Sequence, residues 1–396
     1  MARLFFFSFL FFLSASLPPS GRADSPWHME TYKGFKVEPT WGETKDGVRE
    51  VYYPGSNFNS SPTRVFAYYG KPEGKGPFPA MLLVHGGGGK AFPDWVRHWT
   101  KKGYCALAMD LAGKGPSGPL EDGGPDQSDE VKFKDFTSGR PAYTWPFYAV
   151  SAVLRGHNLL RSFPEIDKER IGITGISWGG YLTCIVAGID DRLKVAVPVY
   201  GCGFLHENSA WKPERFDKVP AERRDRWVKT FDPSQYLPGV KCPILFINGT
   251  NDFAYPMDSY LKSYNLVPGA KNLSMRVRLP HGHIWTFPEV DAFIDAALKQ
   301  GKPLAKVGEI QNPEPGKAAV KVDSAVPIKS VALNYAIAEG PWQKREWKTI
   351  PAKKNNALWE AELPQERPLV YYFLAVDERG LETSCPQKIE VKAEAK

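Results

Sequence analysis

The sequence predicts an α/β protein, a mostly parallel sheet with helices on both faces, followed by a small all-β sandwich. Two observations carry this. Between about residues 78 and 302, apolar runs such as "AMLLVHGGGG", "YCALAMDL", "RIGITGIS", "KVAVPVYG" and "CPILFING" alternate with amphipathic stretches. Continuous apolar strands belong to sheets covered on both faces, and intervening helices make the connections crossovers. After about residue 302 the helical spacing stops. "AAVKVDSAVP", "KSVALNYAIAE", "ALWEAELP" and "LVYYFLAVDERG" read there as short strands between turns.

The elements follow in order. "MARLFFFSFLFFLSASLPPSGRADS" places Arg3 before an apolar run, Leu4 to Leu13, and then small residues. That is the layout of a secretory signal peptide, residues 1–23, cleaved after Ala23; the run is too short to span a bilayer. The expectation is an exported chain, periplasmic or extracellular, without stable membrane insertion once the signal is removed. "VREVYYPG" and "TRVFAYYGKP" are extended segments that open a domain over 24–302. "DWVRHWTKKG" is a short helix between Asp94 and Gly103. The Gly/Pro-rich loop 112–143 is too long for a passive connector. "WPFYAVSAVLRGHNLLRSF" reads as a helix, with Val150, Val153, Leu154 and Leu160 apolar.

A charged insertion, 204–237, leaves the C-terminal end of a sheet strand, where such folds build their sites, and is expected as a cap. It carries Trp211 and Trp227 among Lys212, Arg215, Arg223, Arg224 and Arg226. Aromatic faces beside cations suit a sugar, so both tryptophans are candidate substrate contacts. In "FPEVDAFIDAALKQG", Val290, Phe293, Ile294, Ala297 and Leu298 repeat as one helical face. A linker, 303–316, precedes the sandwich, 317–396, of immunoglobulin or fibronectin type. Its Trp342, Trp347, Trp359, Tyr371 and Tyr372 either fill such a core, as aromatics at strand positions usually do, or offer faces to a sugar.

Composition narrows the function classes. With 42% hydrophobic and 24% charged residues, wholesale disorder is excluded. Losing Arg3 and Arg22 with the signal takes two of 51 basic residues and none of the 44 acidic ones, so the charge falls from +7 to about +5. That charge is spread along the chain and makes no case for nucleic acid. Cys105, Cys184 and Cys242 lie inside apolar runs and Cys202 and Cys385 at the ends of such runs. An odd count without zinc spacing excludes a disulfide scaffold and leaves room for a single bridge.

The chemistry gathers around "GITGISWGGYLT". Ser177 lies between Gly175 and the pair Gly179 and Gly180, at a strand-to-helix turn that pushes its hydroxyl outward. Glycine and serine are also ordinary turn residues, so the motif needs company. "HGGGG", His85 to Gly89, is a turn able to aim a backbone N–H at a developing oxyanion, with Gly87 and Trp178 as the donors. As a phosphate loop it lacks the lysine-serine/threonine ending. "NGTND" puts Asp252 after a later strand, with Asp258 as the second choice of acid. "PHGH" offers His281 and His283; as a metal site it lacks companion ligands. A serine hydroxyl needs an imidazole to take its proton and a carboxylate to hold the imidazole tautomer. Ser177, Asp252 and one of these two histidines stand in that order, each after a strand, and such chemistry requires no metal or organic cofactor.

On "VHGGGG", "GISWGG", "NGTND" and "PHGH", residues 45–302 resemble the α/β-hydrolase superfamily. Within it they are similar to the exported acetyl xylan esterase and dienelactone hydrolase-like branch. "GISWGGYL" is also similar to the prolyl oligopeptidase group. Two departures stand out: the Arg-Gly-Gln motif of the acetyl xylan esterase and cephalosporin deacetylase group is absent, and Ser177 stands where dienelactone hydrolases carry cysteine. The resemblance implies an α/β-hydrolase fold and a carboxylic ester hydrolase working through an acyl-enzyme. The substrate it implies is a small-molecule or polysaccharide ester, acetylated xylan foremost. The Gly-His pair usual in such hydrolases implies His283 as the base, with His281 as a supporting residue and the alternative base. Activity is then expected to fall on the acid side as an imidazole of ordinary pKa, about 6–7, takes up its proton. Two rival readings exist. A prolyl oligopeptidase-type peptidase needs a propeller of about 40–45 residues per blade, for which the segment before the first strands has no room. A carbohydrate-binding protein with an inactive hydrolase domain is disfavoured because every triad position is filled.

Overall fold

In the computed structural model, which describes residues 25–136 and 140–391, the chain enters through an antiparallel meander. The expected signal peptide, 1–23, lies outside the described residues. Strands β1 (Thr40–Lys45), β2 (Val48–Pro54) and β3 (Arg64–Gly70) pair in sequence order. The chain continues as β4 (Phe78–Val84), β5 (Cys105–Met109), β6 (Ile166–Ile176), β7 (Val195–Val199), β8 (Ile244–Gly249) and β9 (Lys271–Arg276). β3 lies antiparallel to β5, and from there the order β5-β4-β6-β7-β8-β9 is parallel throughout. Every residue of β5, β7 and β8 is buried, which explains their unbroken apolar runs.

Helices α1 (Pro93–Lys101), α2 (Trp145–Ser162), α3 (Trp178–Ile189), α4 (Ala221–Phe231), α5 (Met257–Leu266) and α6 (Pro288–Leu298) fill the crossovers and the insertion. α1 opens on Pro93 and Asp94, residues suited to a first turn, and buries Trp95, Val96 and Trp99. α3 is buried along its whole length. It can lie that close only because its second residue is glycine: a Cβ on Gly179 would sit 2.0 Å from the Val84 carbonyl oxygen at the end of β4. α6 buries Val290, Phe293, Ile294 and Leu298 as its spacing requires, while Ala297 falls at the exposed margin of the stripe.

After residue 302 the expected run of strands appears: β10 (Lys317–Asp323), β11 (Ile328–Ile337), β12 (Lys348–Pro351), β13 (Lys353–Asn355), β14 (Leu358–Glu362), β15 (Leu369–Asp377) and β16 (Glu382–Ser384). They form two sheets, one in the order β16-β15-β11-β12 and the other containing β10-β14-β13. Trp342, Trp347, Tyr371 and Tyr372 are buried there.

This module does not hang free. β16 pairs antiparallel with β9 at Leu273 and Ser384, so one 14-stranded sheet runs through both parts of the molecule. The Met275 N–H donates to Ser384 Oγ at 3.0 Å, and the Glu382 N–H donates to buried Glu289 of α6 at 2.8 Å. Arg276 bridges Glu289 and Glu382. Segment 303–316, expected as a linker, contributes sheet pairings of its own: Val307 with Val322, and Gln311 with Ala319. All five cysteines are free and buried, and burial pushes the Cys105 thiol up to about 11. Among the described residues no helix is long and apolar enough to cross a membrane.

Candidate active site

Ser177 ends the tight turn between β6 and α3 at φ 58°, ψ −118°, a conformation that costs a non-glycine residue about 1–3 kcal/mol. The turn is held on both sides. The Ser177 N–H donates to Val199 O at 2.8 Å, and its carbonyl accepts from the Tyr181 N–H at 2.9 Å. Tyr200, the residue after Val199, is itself left-handed at φ 61°, so two strained residues face each other across the ends of β6 and β7.

The glycine turn after β4 packs directly on this serine. A Cβ on Gly86 would lie 2.8 Å from Ile176 O and 3.0 Å from Ser177 Cβ, and one on Gly87 would lie 2.9 Å from Trp178 Cδ1. The Gly88 N–H donates to Gln127 Oε1 at 3.0 Å and the Gly89 N–H to Gly86 O at 3.2 Å. Among the described residues the N–H groups of Gly87 and Trp178 have no partner, leaving two donors on facing segments beside the hydroxyl.

His85 builds the turn and does not titrate with the site. The Leu111 N–H donates to its Nε2 at 2.9 Å, so the proton resides on Nδ1, which donates to Gly86 O at 2.7 Å. Burial holds its pKa down to about 4. Between the unfolded value of about 6.5 and that folded value, the unfolded chain binds the extra proton, so stability is full above about 6.5 and declines as pH falls. Urea unfolding is expected to lose about 2–3 kcal/mol from this group between pH 7.5 and 4.5. His85→Gln, which cannot titrate, should flatten that dependence; an unchanged slope would mean the neutral tautomer is not what holds the turn.

Asp252 is buried in the loop after β8. Its Oδ1 accepts from the N–H groups of Ala254 and Tyr255 at 2.8 and 2.7 Å. Its Oδ2 receives His281 Nδ1 at 2.7 Å. The imidazole lies between aromatic rings, stacked on Tyr200 at 4.6 Å and against Phe253 at 4.9 Å. With Nδ1–H committed to the carboxylate, Nε2 keeps its lone pair.

The carboxylate therefore meets His281, contrary to the pairing with His283 that the Gly-His pattern implies. The chain leaves β9 through Arg278 at φ 53°, whose N–H donates to Thr250 Oγ1 at 3.1 Å. That turn lays the loop alongside residues 250–252, so His281 reaches Asp252. Two residues later the chain has crossed to the glycine turn. His283 Nε2 borders Gly86 and Gly89, is buried without a hydrogen-bond partner among the described residues, and its ring packs on Phe92 at 5.2 Å. Burial, with the nearby His281, lowers its pKa. Asp258 is not a competing acid: both of its oxygens accept from Asn208 Nδ2 at 3.1 Å.

The two expected substrate tryptophans separate. Trp211 is half-buried, with its ring 4.6 Å from Trp178 and 5.4 Å from Tyr255, close to the serine turn. Trp227 is only 4% exposed; its indole N–H donates to Lys132 O at 3.0 Å and its ring packs on Phe133 and Phe216. It anchors the insertion and lines a cavity with Phe133, Phe216 and Arg223.

Sequence reasoning missed three residues. Gln127 and Lys132 come from the long loop: the first holds Gly88, and the second lies 5.1 Å from the Trp178 ring centre, its pKa lowered by burial against the pull of Asp129. The third, Asn251, donates through Nδ2 to Gln343 O at 3.0 Å and Arg345 O at 2.9 Å, tying the acid loop to the C-terminal module. The length of loop 112–143 was the only signal for the first two, and Asn251 had none. Together, a strained serine, an oriented imidazole and two free N–H groups are the parts an acyl transfer requires.

Residues 44–212 match the family model described as Acetyl xylan esterase (AXE1). Over 250 residues the chain is 23% identical to the acetyl esterase Axe7A of Xylanibacter ruminicola, covering 57% of this chain and 54% of that one. Among solved structures, the acetyl xylan esterase of a Paenibacillus species superposes with a TM-score of 0.55 at 21% identity, over 68% of this chain and 92% of the other. Acetyl xylan esterase 1 of a Thermoanaerobacterium species gives 0.52 at 19% identity, over 65% and 86%. The chain spans a little over half the length of the curated relatives it matches. These structural likenesses give residues before the C-terminal module the α/β-hydrolase fold.

Proposed function

We propose that this α/β-hydrolase is an exported serine esterase that removes acetyl groups from carbohydrate, with Ser177, His281 and Asp252 as its triad. The observation that carries the reading is the 2.7 Å bond between His281 and Asp252, with the His281 ring stacked on Tyr200, the residue after the Val199 carbonyl that accepts from the strained Ser177. Ser177 Oγ attacks the ester carbonyl while His281 Nε2 takes its proton, and Asp252 stabilises the imidazolium through Nδ1. The Gly87 and Trp178 N–H groups receive the developing oxyanion; one such donor is worth about 3–4 kcal/mol of transition-state stabilisation. Collapse of the tetrahedral intermediate expels the alcohol, which takes the proton from His281, and leaves Ser177 acylated. Water, deprotonated by the same Nε2, then attacks the acyl-enzyme, releases the acid and restores the serine.

The likeness to acetyl xylan esterases supports an acetylated polysaccharide as substrate, and the signal-like N-terminus supports meeting it outside the cytoplasm. The test compares wild type with Ser177→Ala on p-nitrophenyl acetate and on acetylated xylan, following acetate release. Acetate from xylan that disappears in the variant is the expected result. Cleavage of the small ester alone would keep the serine and discard the polysaccharide. Equal rates from the two proteins would discard the triad.

A further inference from the structure

The acid side of the triad opens on a cleft of about 500 Å³ whose far wall belongs to the C-terminal module: Asp252, Phe253, Arg278 and His281 line one side and Gln343 to Glu346 the other. Its chemistry is one-sided. Phe253 is 59% exposed, unusual for phenylalanine, and lies against the His281 ring. Arg278 and Lys344 are exposed, and Arg345 is stacked on Trp342 at 3.6 Å. Among the described residues none of these three cations forms a salt bridge; the Arg345 guanidinium makes a single hydrogen bond, to Gly340 O at 3.3 Å, and its Nε and Nη1 are buried without partners. Against them stand Glu346 and the Asp252 carboxylate, the latter held by His281 and by the Ala254 and Tyr255 N–H groups, while Asp258 acts on Arg345 through space.

We propose that this cleft is a subsite for an acidic sugar, stacking a pyranose ring on Phe253 and receiving the carboxylate of a uronic acid on Lys344 and Arg278. The proposal deepens the esterase reading and rests on it. An exposed aromatic in the same cleft as two exposed cations supplies an apolar face and charged donors for a sugar unit, and Arg345 adds a third positive charge that no salt bridge among the described residues engages. Asn251 holds the wall in place through the carbonyls of Gln343 and Arg345, so the C-terminal module and the triad share one substrate-binding surface.

The test is calorimetric titration of the full-length Ser177→Ala protein, which binds without turnover, with xylotetraose and with xylotetraose bearing one glucuronic acid. The expected result is a Kd at least about tenfold lower for the acidic ligand, an advantage that shrinks as NaCl rises from about 20 to about 300 mM. Lys344→Glu and Arg278→Glu, both at exposed positions, should each remove most of that advantage. Equal Kd values for the two sugars, or an advantage that survives both charge reversals, would overturn the proposal. A sulfated xylotetraose that binds more tightly than the uronate would overturn the carboxylate assignment. Turnover of p-nitrophenyl acetate by wild type is measured alongside, so loss of the subsite and loss of the esterase reading give different results.

Discussion

His281→Ala is expected to lower kcat for p-nitrophenyl acetate by about 10⁵-fold, while His283→Ala costs no more than about tenfold. The difference follows from which imidazole is oriented. His281 has its Nδ1 proton fixed on Asp252, its ring stacked on Tyr200 and, among the described residues, no partner on its second nitrogen. Among the described residues His283 has no carboxylate partner; it lies against Gly86 and Gly89 and burial lowers its pKa, so the proposed triad gives it no proton to transfer. Single-turnover kinetics on both variants decide the matter. A 10⁵-fold loss in His283→Ala with an active His281→Ala would exchange the two roles.

Asp252→Asn is expected to cost about 10⁴-fold in kcat with little change in KM. The side-chain oxygen of asparagine can keep the bonds from the Ala254 and Tyr255 N–H groups, which turns its NH₂ toward His281. Facing a donor, His281 must present the lone pair of Nδ1 and carry its proton on Nε2, the wrong tautomer for accepting from Ser177. Stability should fall by only about 1–2 kcal/mol, since the backbone bonds persist while one charged bond is lost. Urea unfolding run with the kinetics separates the two effects: a variant that loses rate in proportion to its folded fraction would place Asp252 in the scaffold alone.

The parts of the site that sequence made legible are those fixed by local backbone demands. "GISWGG" requires a strand, a strained residue and a helix that approaches a neighbouring strand too closely for any side chain at Gly179; "HGGGG" requires a turn that lies on Ser177. Both leave a glycine signature. The choice between His281 and His283 has no such signature, because it depends on how Arg278 turns the chain beside Thr250, a contact between loops nearly thirty residues apart. The Gly-His pattern pointed to the wrong neighbour of Asp252 for that reason. Gln127 and Asn251 were invisible for the same cause: their partners, Gly88 and residues 343–345, are placed by the packing of whole modules. The strands after 302 were readable one by one, but their continuity with β9 was not, since pairing partners are set by tertiary packing rather than by alternation.

That continuity bears on how the protein tolerates being cut. In a parallel sheet ending at β9, the last strand offers a row of unpaired backbone donors and acceptors, a template on which other chains assemble. Here β16 occupies that row at Leu273, and Arg276 meets acidic partners from both modules. A fragment trimmed after residue 302 is therefore expected to bare a sticky margin, and its failure in solution would appear as clumping. The C-terminal module covers that edge of the parallel sheet.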